Sequence, residues 1–153
     1  SLRVLTTHLE YYSQRQRRAQ VEALRALHAE AAGQAAAPAA GKESNPAFAA
    51  RPRPASALVC GDFNCEPDSA EHRLMQAPIA PDVPAWCDAW RVLAPGAPHA
   101  PSVGLHGAEW PDRAYCCDFF FVTADLAPRV RALQVLAETA ASDHQPVVLE
   151  LDD

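Results

Sequence analysis

The chain has 153 residues, of which 49% are hydrophobic and 21% are charged, and this composition is typical of one globular domain or part of one. Its 19 acidic and 13 basic side chains give a formal net charge of -6, which disfavours sequence-independent binding to nucleic acid, where neutralisation of phosphates supplies most of the affinity. No apolar run approaches the roughly 18 residues that span a bilayer, so we expect a soluble protein in the cytoplasm.

The cysteines form an odd-numbered set without a CxxC pair. Such a set predicts neither a disulfide framework nor a zinc site. We therefore expect reduced, mostly buried thiols, as in a cytosolic protein. They are Cys60, Cys65, Cys87, Cys116 and Cys117.

The first predicted element is a strand over residues 2–7, which delivers His8 at its end. The segment is apolar and β-branched, as a strand buried on both faces would be. Because this element begins at once, without an initiator Met, we expect the chain to be cut from a longer protein.

A helix is predicted next, from about Gln14 to Ala32. Ser13 followed three residues later by Gln16 is a capping-box pattern, and apolar residues then recur at helical spacing. The charged face of this helix is interpreted as a solvated surface, with a nucleic-acid contact as the alternative. That face carries Arg15, Arg18, Glu22 and Arg25.

Residues 33–55 are dominated by Ala and Pro and are interpreted as a low-complexity loop or a disordered insertion, because they cannot bury enough apolar surface to order themselves. Order returns with a short strand at residues 56–60, which stops at Gly61. Asp68 with Glu71 then predicts the start of a brief helix.

The stretch from Pro78 to Pro111 contains many prolines and predicts ordered loops, with a short helix near residues 86–93. Its tryptophans can wall a substrate pocket, but packing in the core is the simpler interpretation. They are Trp86, Trp90 and Trp110. Three strands are predicted in the remaining chain, at residues 115–123, 130–137 and 145–151.

Two polar side chains follow the strand at residues 56–60. Asp62 and Asn64 are two positions apart, so in an extended chain both side chains point to one side and share a cleft wall. The carboxylate can orient water or hold a hard cation, and the amide can donate to a phosphoryl oxygen as negative charge builds. The pair suits phosphoester hydrolysis, although the tetrapeptide at residues 61–64 is as typical of a turn after a strand.

A second candidate group is Ser142-Asp143-His144, immediately before the last predicted strand. Asp143 can ligate a hard divalent cation while His144 removes a proton from an attacking water. An exposed turn is the commoner explanation of such a tripeptide by itself.

Asp118 interrupts a very apolar run at residues 115–122 and needs a partner, since burying an unpaired charge is costly. If His144 is that partner, Asp118 fixes its tautomer and stabilises its protonated form, as the acid of a catalytic triad does. The alternative is an edge position where Asp118 faces water. His8 can donate to a phosphate oxygen or a leaving group, although a single histidine there is more often structural.

Four motifs in order resemble the endonuclease/exonuclease/phosphatase superfamily, which includes pancreatic-type deoxyribonucleases, apurinic-site endonucleases, inositol polyphosphate 5-phosphatases and neutral sphingomyelinases. The resemblance implies an α/β fold, a four-layer α/β/β/α sandwich. It runs from residue 2 to residue 151, so this chain would supply about the second half of one such domain. The motifs are Thr7-His8-Leu9, Gly61-Asp62-Phe63-Asn64, Asp118-Phe119-Phe120-Phe121-Val122 and Ser142-Asp143-His144.

The resemblance also implies a role for each matched residue. His8 would contact the scissile phosphate, Asp62 would position the nucleophilic water or a second metal, and Asn64 would orient the phosphate. The remaining roles are a metal ligand at Asp143 and a dyad of His144 with Asp118. The cofactor implied is Mg²⁺ or Mn²⁺.

The family's first half supplies an Asn and a Glu that is a principal metal ligand, and nothing in this chain replaces them, because Glu10, Glu66 and Glu109 lie in other contexts. We therefore expect a metal-dependent phosphoester hydrolase whose second half alone is inactive. Its partners would be the missing N-terminal half and a small-molecule, lipid-headgroup or nucleic-acid phosphoester. The alternative is a catalytically inactive member that serves as a binding or scaffolding module, which loss of the upstream Glu would favour.

Overall fold

The computed structural model describes residues 1–42, 44–51, 53–107 and 111–153. Within these ranges the chain forms a mixed α/β fold, which confirms the predicted class. The strands are β1 (Arg3–His8), β2 (Ala57–Asp62), β3 (Trp86–Asp88), β4 (Asp118–Thr123), β5 (Val130–Val135) and β6 (Val147–Leu151). The helices are α1 (Gln14–Ala36), α2 (Ala70–Gln76) and α3 (Ala89–Leu93), with turns of 3-10 helix at Pro46–Phe48 and Ala127–Arg129.

The larger sheet has the strand order β1-β2-β4-β3. β1 runs parallel to β2, and β4 runs antiparallel to β2. β5 and β6 form a separate antiparallel pair. The carboxyl ends of β1 and β2 therefore meet the amino end of β4 at one end of the sheet, and the predicted polar residues lie at that end.

Each face of the larger sheet has its own apolar core. Val59 and Phe121 pack with Val21 of α1 and Met75 of α2 on one face. On the other face, the core comprises residues from α3, β5 and the two central strands. Neighbouring strand residues point to opposite faces, which is why the sheet separates the two cores. The resulting order of helices, sheet and second sheet corresponds to three of the four layers of the predicted sandwich.

Helix α1 begins where the capping pattern predicts. Ser13 Oγ accepts a hydrogen bond from Gln16 N at 3.3 Å. The helix ends at Ala36 rather than Ala32, because the Gln and Ala residues after Gly33 are good helix formers and offset the cost of one glycine. Although α1 has 23 residues, no helix in the described part of the chain is both long and apolar enough to cross a membrane.

The charged face of α1 is only in part a solvated surface. Arg18 pairs with Glu22 at 3.2 Å, with both side chains largely exposed. Arg25 instead donates to backbone carbonyls at the end of α2, so its assignment to the solvated face is wrong. These carbonyls belong to Leu74, Met75, Ala77 and Pro78. Arg25 thereby satisfies carbonyl groups that a helix terminus leaves unpaired.

Two local predictions differ from the structure. Helix α2 is capped by Ser69, whose Oγ accepts from a backbone N–H of the first turn at 3.2 Å, and not by Asp68, which has a φ of 63°. Residues 86–88 form strand β3, whereas only a helix was expected there. The helix that follows it is capped by Asp88, whose Oδ1 accepts from Trp90 N at 2.9 Å.

Strand β1 is the end strand of its sheet and alternates between half-buried and exposed residues. The expectation that both of its faces are buried is therefore wrong, and Val4 is 59% exposed. The stretch at residues 33–55 contributes its first four residues to α1 and forms one 3-10 turn. Its other described residues form no helix or strand.

Candidate active site

Three predicted residues lie side by side on neighbouring strands. His8 ends β1, Asp62 ends β2 and Asp118 begins β4, and the strand register places both His8 and Asp118 opposite Asp62. Side chains at directly paired positions share one face of a sheet. His8 Nε2 accordingly lies 3.5 Å from Asp62 Oδ2. Strand pairing thus makes one row of residues that are far apart in the sequence.

Asp62 is the central carboxylate of this row, and its side chain is 14% exposed. Burial raises the pKa of Asp62, and the charge of Asp118 adds to this rise. The hydrogen bond from Asn64 N, at 2.7 Å, and the two nearby histidines oppose it without cancelling it. A proton or a cation close to Asp62 would therefore be favoured.

Asn64 is not extended, contrary to the prediction, and has a φ of 48° in the left-handed region, which asparagine tolerates better than most residues. Its Nδ2 donates to Leu9 O at 2.7 Å, which ties the end of β2 to the chain after β1. Gly61 has a φ of 136°, and a Cβ there would lie 1.9 Å from Thr7 O. The turn after β2 therefore depends on a glycine that allows close contact with β1.

Asp118 and His144 form a hydrogen-bonded pair, here called the dyad. His144 Nδ1 donates to Asp118 Oδ2 at 2.8 Å, so the partner expected for Asp118 is present and Asp118 does not occupy a water-facing edge. Burial alone would lower the pKa of His144, but the hydrogen bond and charge of Asp118, together with the charges of Asp62 and Asp143, raise it above its ordinary value. The second ring nitrogen, Nε2, lies 3.9 Å from Asp62 Oδ2.

A cavity of about 490 Å³ opens over this row, and three tyrosines supply its aromatic wall. Of the predicted tryptophans, Trp86 is buried in the core and Trp90 stacks on His99, with ring centroids 5.6 Å apart. Trp110 lies outside the described residues. Core packing is therefore the role of the first two. The cavity is lined by His8, Tyr11, Tyr12, Asp62, Asn64, Tyr115 and His144.

Asp143 lies apart from the converging side chains. It is exposed, and its Oδ1 accepts from Ser142 Oγ at 3.1 Å, a hydrogen bond that lowers its pKa. At this site, the residues whose potential ligand atoms lie within 4.8 Å of one another are Asp62, Cys117 and His144. The Cys117 thiol is a poor ligand for a hard cation, because burial, followed by the charge of Asp118, raises its pKa well above the ordinary value.

Carboxylate oxygens are the type of ligand that a hard divalent cation prefers. The charges of Asp62 and Asp143 both act on His144 and help to raise its pKa. Mg²⁺ is commonly held by one or two carboxylates, with water and substrate oxygens as the other ligands. A cation would also stabilise the ionised form of Asp62, which burial disfavours.

The glutamates considered as further ligands serve other contacts. Glu10 Oε1 accepts from Tyr12 N at 3.0 Å at the entry to α1. Glu66 pairs with Arg113 on the surface. Glu109 lies outside the described residues. Within the described ranges, no glutamate joins the group of Asp62, Cys117 and His144.

A second cluster lies in the core, where His72 and His99 both donate through Nε2 to Asp88 Oδ2, at 3.0 and 2.6 Å. His72 Nδ1 accepts from Asp68 N at 3.2 Å, which places the imidazole proton on Nε2. A nitrogen that carries a proton cannot ligate a metal. The cluster is therefore a hydrogen-bonded part of the core.

Sequence reasoning missed Ser102, whose Oγ donates to Asp118 Oδ2 at 2.7 Å. A serine in a proline-rich loop follows no periodic pattern that would single it out. The tyrosines of the cavity were missed for a related reason, since an aromatic residue after a strand is as typical of packing as of a substrate wall.

Comparison with known proteins gives one family match and several structural matches. The sequence model of the Endonuclease/Exonuclease/phosphatase family matches residues 4–144. No curated protein sequence is significantly similar to the chain. A mannosyl-6-phosphatase from Bacteroides thetaiotaomicron is 15% identical, with a TM-score of 0.61 over 98% of this chain and 51% of that one.

Truncated TDP2 from Caenorhabditis elegans is 19% identical, with a TM-score of 0.56 over 95% of this chain and 52% of that one. Humanized TDP2 from D. rerio is 20% identical, with a TM-score of 0.53 over 99% of this chain and 55% of that one. At these identities the structural matches establish the fold. The chain spans about half the length of the structures it matches.

The family match covers most of the chain. The four sequence motifs and the fold of the neighbours agree with it. The chain belongs to the endonuclease/exonuclease/phosphatase family.

Proposed function

We propose that the intact protein is a Mg²⁺- or Mn²⁺-dependent phosphoester hydrolase in which a water attacks phosphorus in line with the leaving group. The observation that carries this proposal is the dyad: His144 Nδ1 donates to Asp118 Oδ2 at 2.8 Å beside the partly buried carboxylate of Asp62. An imidazole held in this way is suited to act as a base.

The tautomer of His144 follows from the dyad. With Nδ1 donating to Asp118, the neutral ring carries its lone pair on Nε2, on the side of Asp62. In the proposed reaction, Nε2 removes the proton from the attacking water and Asp62 positions that water. Asp118 then stabilises the imidazolium that forms.

The phosphate would be held by two groups on the cavity wall. The side-chain amide of Asn64 donates to Leu9 O, and the backbone N–H of Asn64 donates to Asp62, so the amide is oriented before substrate arrives. His8, with a largely exposed side chain, can donate to a phosphate oxygen or to the leaving group.

The metal would be held by Asp143, with Asp62 as a second carboxylate. A bound cation would neutralise charge on the phosphoryl oxygens and lower the pKa of bound water. Since the chain spans about half of the structures it matches, we propose that the rest of the domain supplies a further ligand.

The substrate class we propose is a phosphodiester or phosphomonoester of a small molecule, a lipid headgroup or a nucleic acid, handled in the cytoplasm. The net charge of -6 favours the first two over nonspecific nuclease activity. The aromatic wall of the cavity offers a surface on which a ring next to the phosphate can pack.

The test is release of p-nitrophenol from bis-(p-nitrophenyl) phosphate by the intact protein with Mn²⁺, followed by a panel of DNA, lipid and sugar phosphoesters. His144→Ala is expected to lower kcat by roughly 10² or more. Equal rates of hydrolysis for the wild type and His144→Ala would contradict the proposal, whereas no hydrolysis by the wild type would favour the binding or scaffolding module.

A further inference from the structure

Ser102 lies in the segment between α3 and β4 and is fully buried. Its backbone N–H donates to Tyr115 O at 2.9 Å, and its carbonyl accepts from Gln145 N at 2.8 Å. The next residue, Val103, pairs with Tyr115 and with His144. This segment is therefore hydrogen-bonded to both chain segments that carry the dyad.

The Ser102 hydroxyl uses its full hydrogen-bonding capacity. Oγ accepts from Cys117 N and from Asp118 N, each at 3.2 Å, and donates to Asp118 Oδ2 at 2.7 Å. A hydroxyl has one hydrogen and two lone pairs. Because two backbone N–H groups occupy the lone pairs, the hydrogen has one direction left, toward the carboxylate.

Asp118 Oδ2 therefore accepts from Ser102 and from His144, with the thiol of Cys117 as a weaker third donor at 3.6 Å. Ser102 and His144, the two stronger donors, restrict rotation of the carboxylate about its side-chain bonds. A fixed carboxylate in turn keeps the proton of His144 on Nδ1 and the ring in one orientation. The hydroxyl of Ser102 thus reaches the base through Asp118, without contact with the cavity.

We propose that Ser102 is a positioning residue that sets the orientation of the Asp118 carboxylate and, through it, of His144. This inference deepens the proposed function and rests on it, since the benefit of an oriented base lies in the reaction. The backbone of Ser102 supports the same arrangement from the His144 side through its bond with Gln145.

A double-mutant cycle on the intact protein tests the inference. Ser102→Ala is expected to lower kcat by about tenfold or more while KM changes by less than about twofold, because the base is affected and the substrate contacts are not. In an Asp118→Ala background, Ser102→Ala is expected to lower kcat by less than about twofold, since no carboxylate is left to orient. Losses that multiply in the double variant would overturn the inference.

A spectroscopic measurement separates this inference from the proposed function, because it needs no substrate. An imidazole Nδ1 proton held against a carboxylate gives a far-downfield proton NMR signal that exchange with solvent otherwise removes. We expect this signal in the wild type, its loss in Asp118→Ala, and an upfield shift or broadening in Ser102→Ala. An unchanged signal in Ser102→Ala overturns the inference, whether or not any phosphoester is hydrolysed.

Two further variants keep the test decisive. Ser102→Ala leaves two buried N–H groups without an acceptor and can unfold the protein, so Ser102→Cys, of similar size but with a weak donor, is expected to change the signal in the same direction. Ser69→Ala is the matched control, since it removes the capping hydrogen bond of α2 away from the dyad. If Ser69→Ala alters the signal and kcat equally, a specific role of Ser102 is contradicted.

Discussion

His144 Nδ1 lies 2.8 Å from Asp118 Oδ2, and this contact determines which nitrogen of the imidazole can act as a base. With Nδ1 used as a donor, Nε2 is left on the side of Asp62, 3.9 Å from its Oδ2. A lone pair beside a partly buried carboxylate, at the wall of an open cavity, suits the proposed activation of a water.

The pH dependence of hydrolysis is expected to follow the protonation of His144 in the dyad. The pKa of His144 is raised, so kcat/KM is expected to fall as the pH drops through a value above the ordinary histidine pKa of about 6.5. Asp118→Asn removes a carboxylate that raises this pKa, and the midpoint is expected to move to lower pH. A pH profile of kcat/KM for both proteins checks this, and a midpoint that moves to higher pH contradicts it.

The raised pKa of His144 also determines how the contribution of this residue to stability changes with pH. Because the pKa of His144 is raised in the folded state, its contribution to stability is complete below the unfolded pKa and is lost as the pH rises through the folded pKa. The activity and the stability conferred by this residue therefore change in opposite directions between these two values.

Chelation with EDTA is expected to abolish hydrolysis, and Mg²⁺ or Mn²⁺ is expected to restore it. Asp143→Asn should raise the cation concentration for half-maximal rate by roughly tenfold or more, since a carboxylate ligand is lost. Asp82→Asn changes an exposed carboxylate outside the cavity lining and serves as the control. Full activity in the presence of excess EDTA would refute metal dependence.

Gly61→Ala is expected to lower the free energy of unfolding by roughly 3 kcal/mol, because the new Cβ meets Thr7 O at 1.9 Å with φ at 136°. Gly33→Ala is the matched control. It lies in α1 with no atom within 4 Å of the new Cβ, and it is expected to stabilise by about 0.5 to 1 kcal/mol. Urea unfolding measures both. Equal stability of the two variants would show that the close contact of β1 with β2 is not required.

Asp88→Asn is expected to destabilise the fold by about 3 kcal/mol at neutral pH. Both carboxylate oxygens of Asp88 accept hydrogen bonds, so the amide NH₂ of an asparagine would face a donor on one side. Burial raises the pKa of Asp88, but the bonds from His72 and His99 outweigh it and hold the pKa well below the ordinary value. This stabilisation is present above the unfolded pKa and is lost as the pH falls through the folded pKa.

Thermal unfolding at neutral pH measures the loss in Asp88→Asn. Asp68→Asn is its control, because Asp68 pairs with Arg91 at the surface and its removal is expected to cost less than about 1 kcal/mol. A similar loss in both variants would contradict the role assigned to the buried cluster.

Much of the candidate site could be predicted because its residues stand at strand ends. Asp118 is the clearest example, since a carboxylate in an apolar run needs a partner and His144 is that partner in the structure. The parallel pairing that sets His8 beside Asp62 could not be derived from either segment alone. It depends on which strands become neighbours.

Other features of the structure could not be predicted from the sequence, for physical reasons. Strand β3 has three residues, too few for an alternating pattern to appear. The left-handed turn at Asn64 is stabilised by its bond to Leu9, a contact that only the folded chain makes. Ser102 acts through hydrogen bonds in an irregular segment, for which the sequence carries no periodic signal.

The most direct test of whether the dyad acts as one unit is kcat for bis-(p-nitrophenyl) phosphate with Mn²⁺. The proteins compared are the wild type, His144→Ala, Asp118→Asn and the double variant. Each single substitution is expected to lower kcat by roughly 10² or more, and the double variant should be within about threefold of His144→Ala, because without the imidazole the carboxylate has nothing to orient. Wild-type rates in His144→Ala, or losses that multiply in the double variant, would contradict catalysis by this dyad.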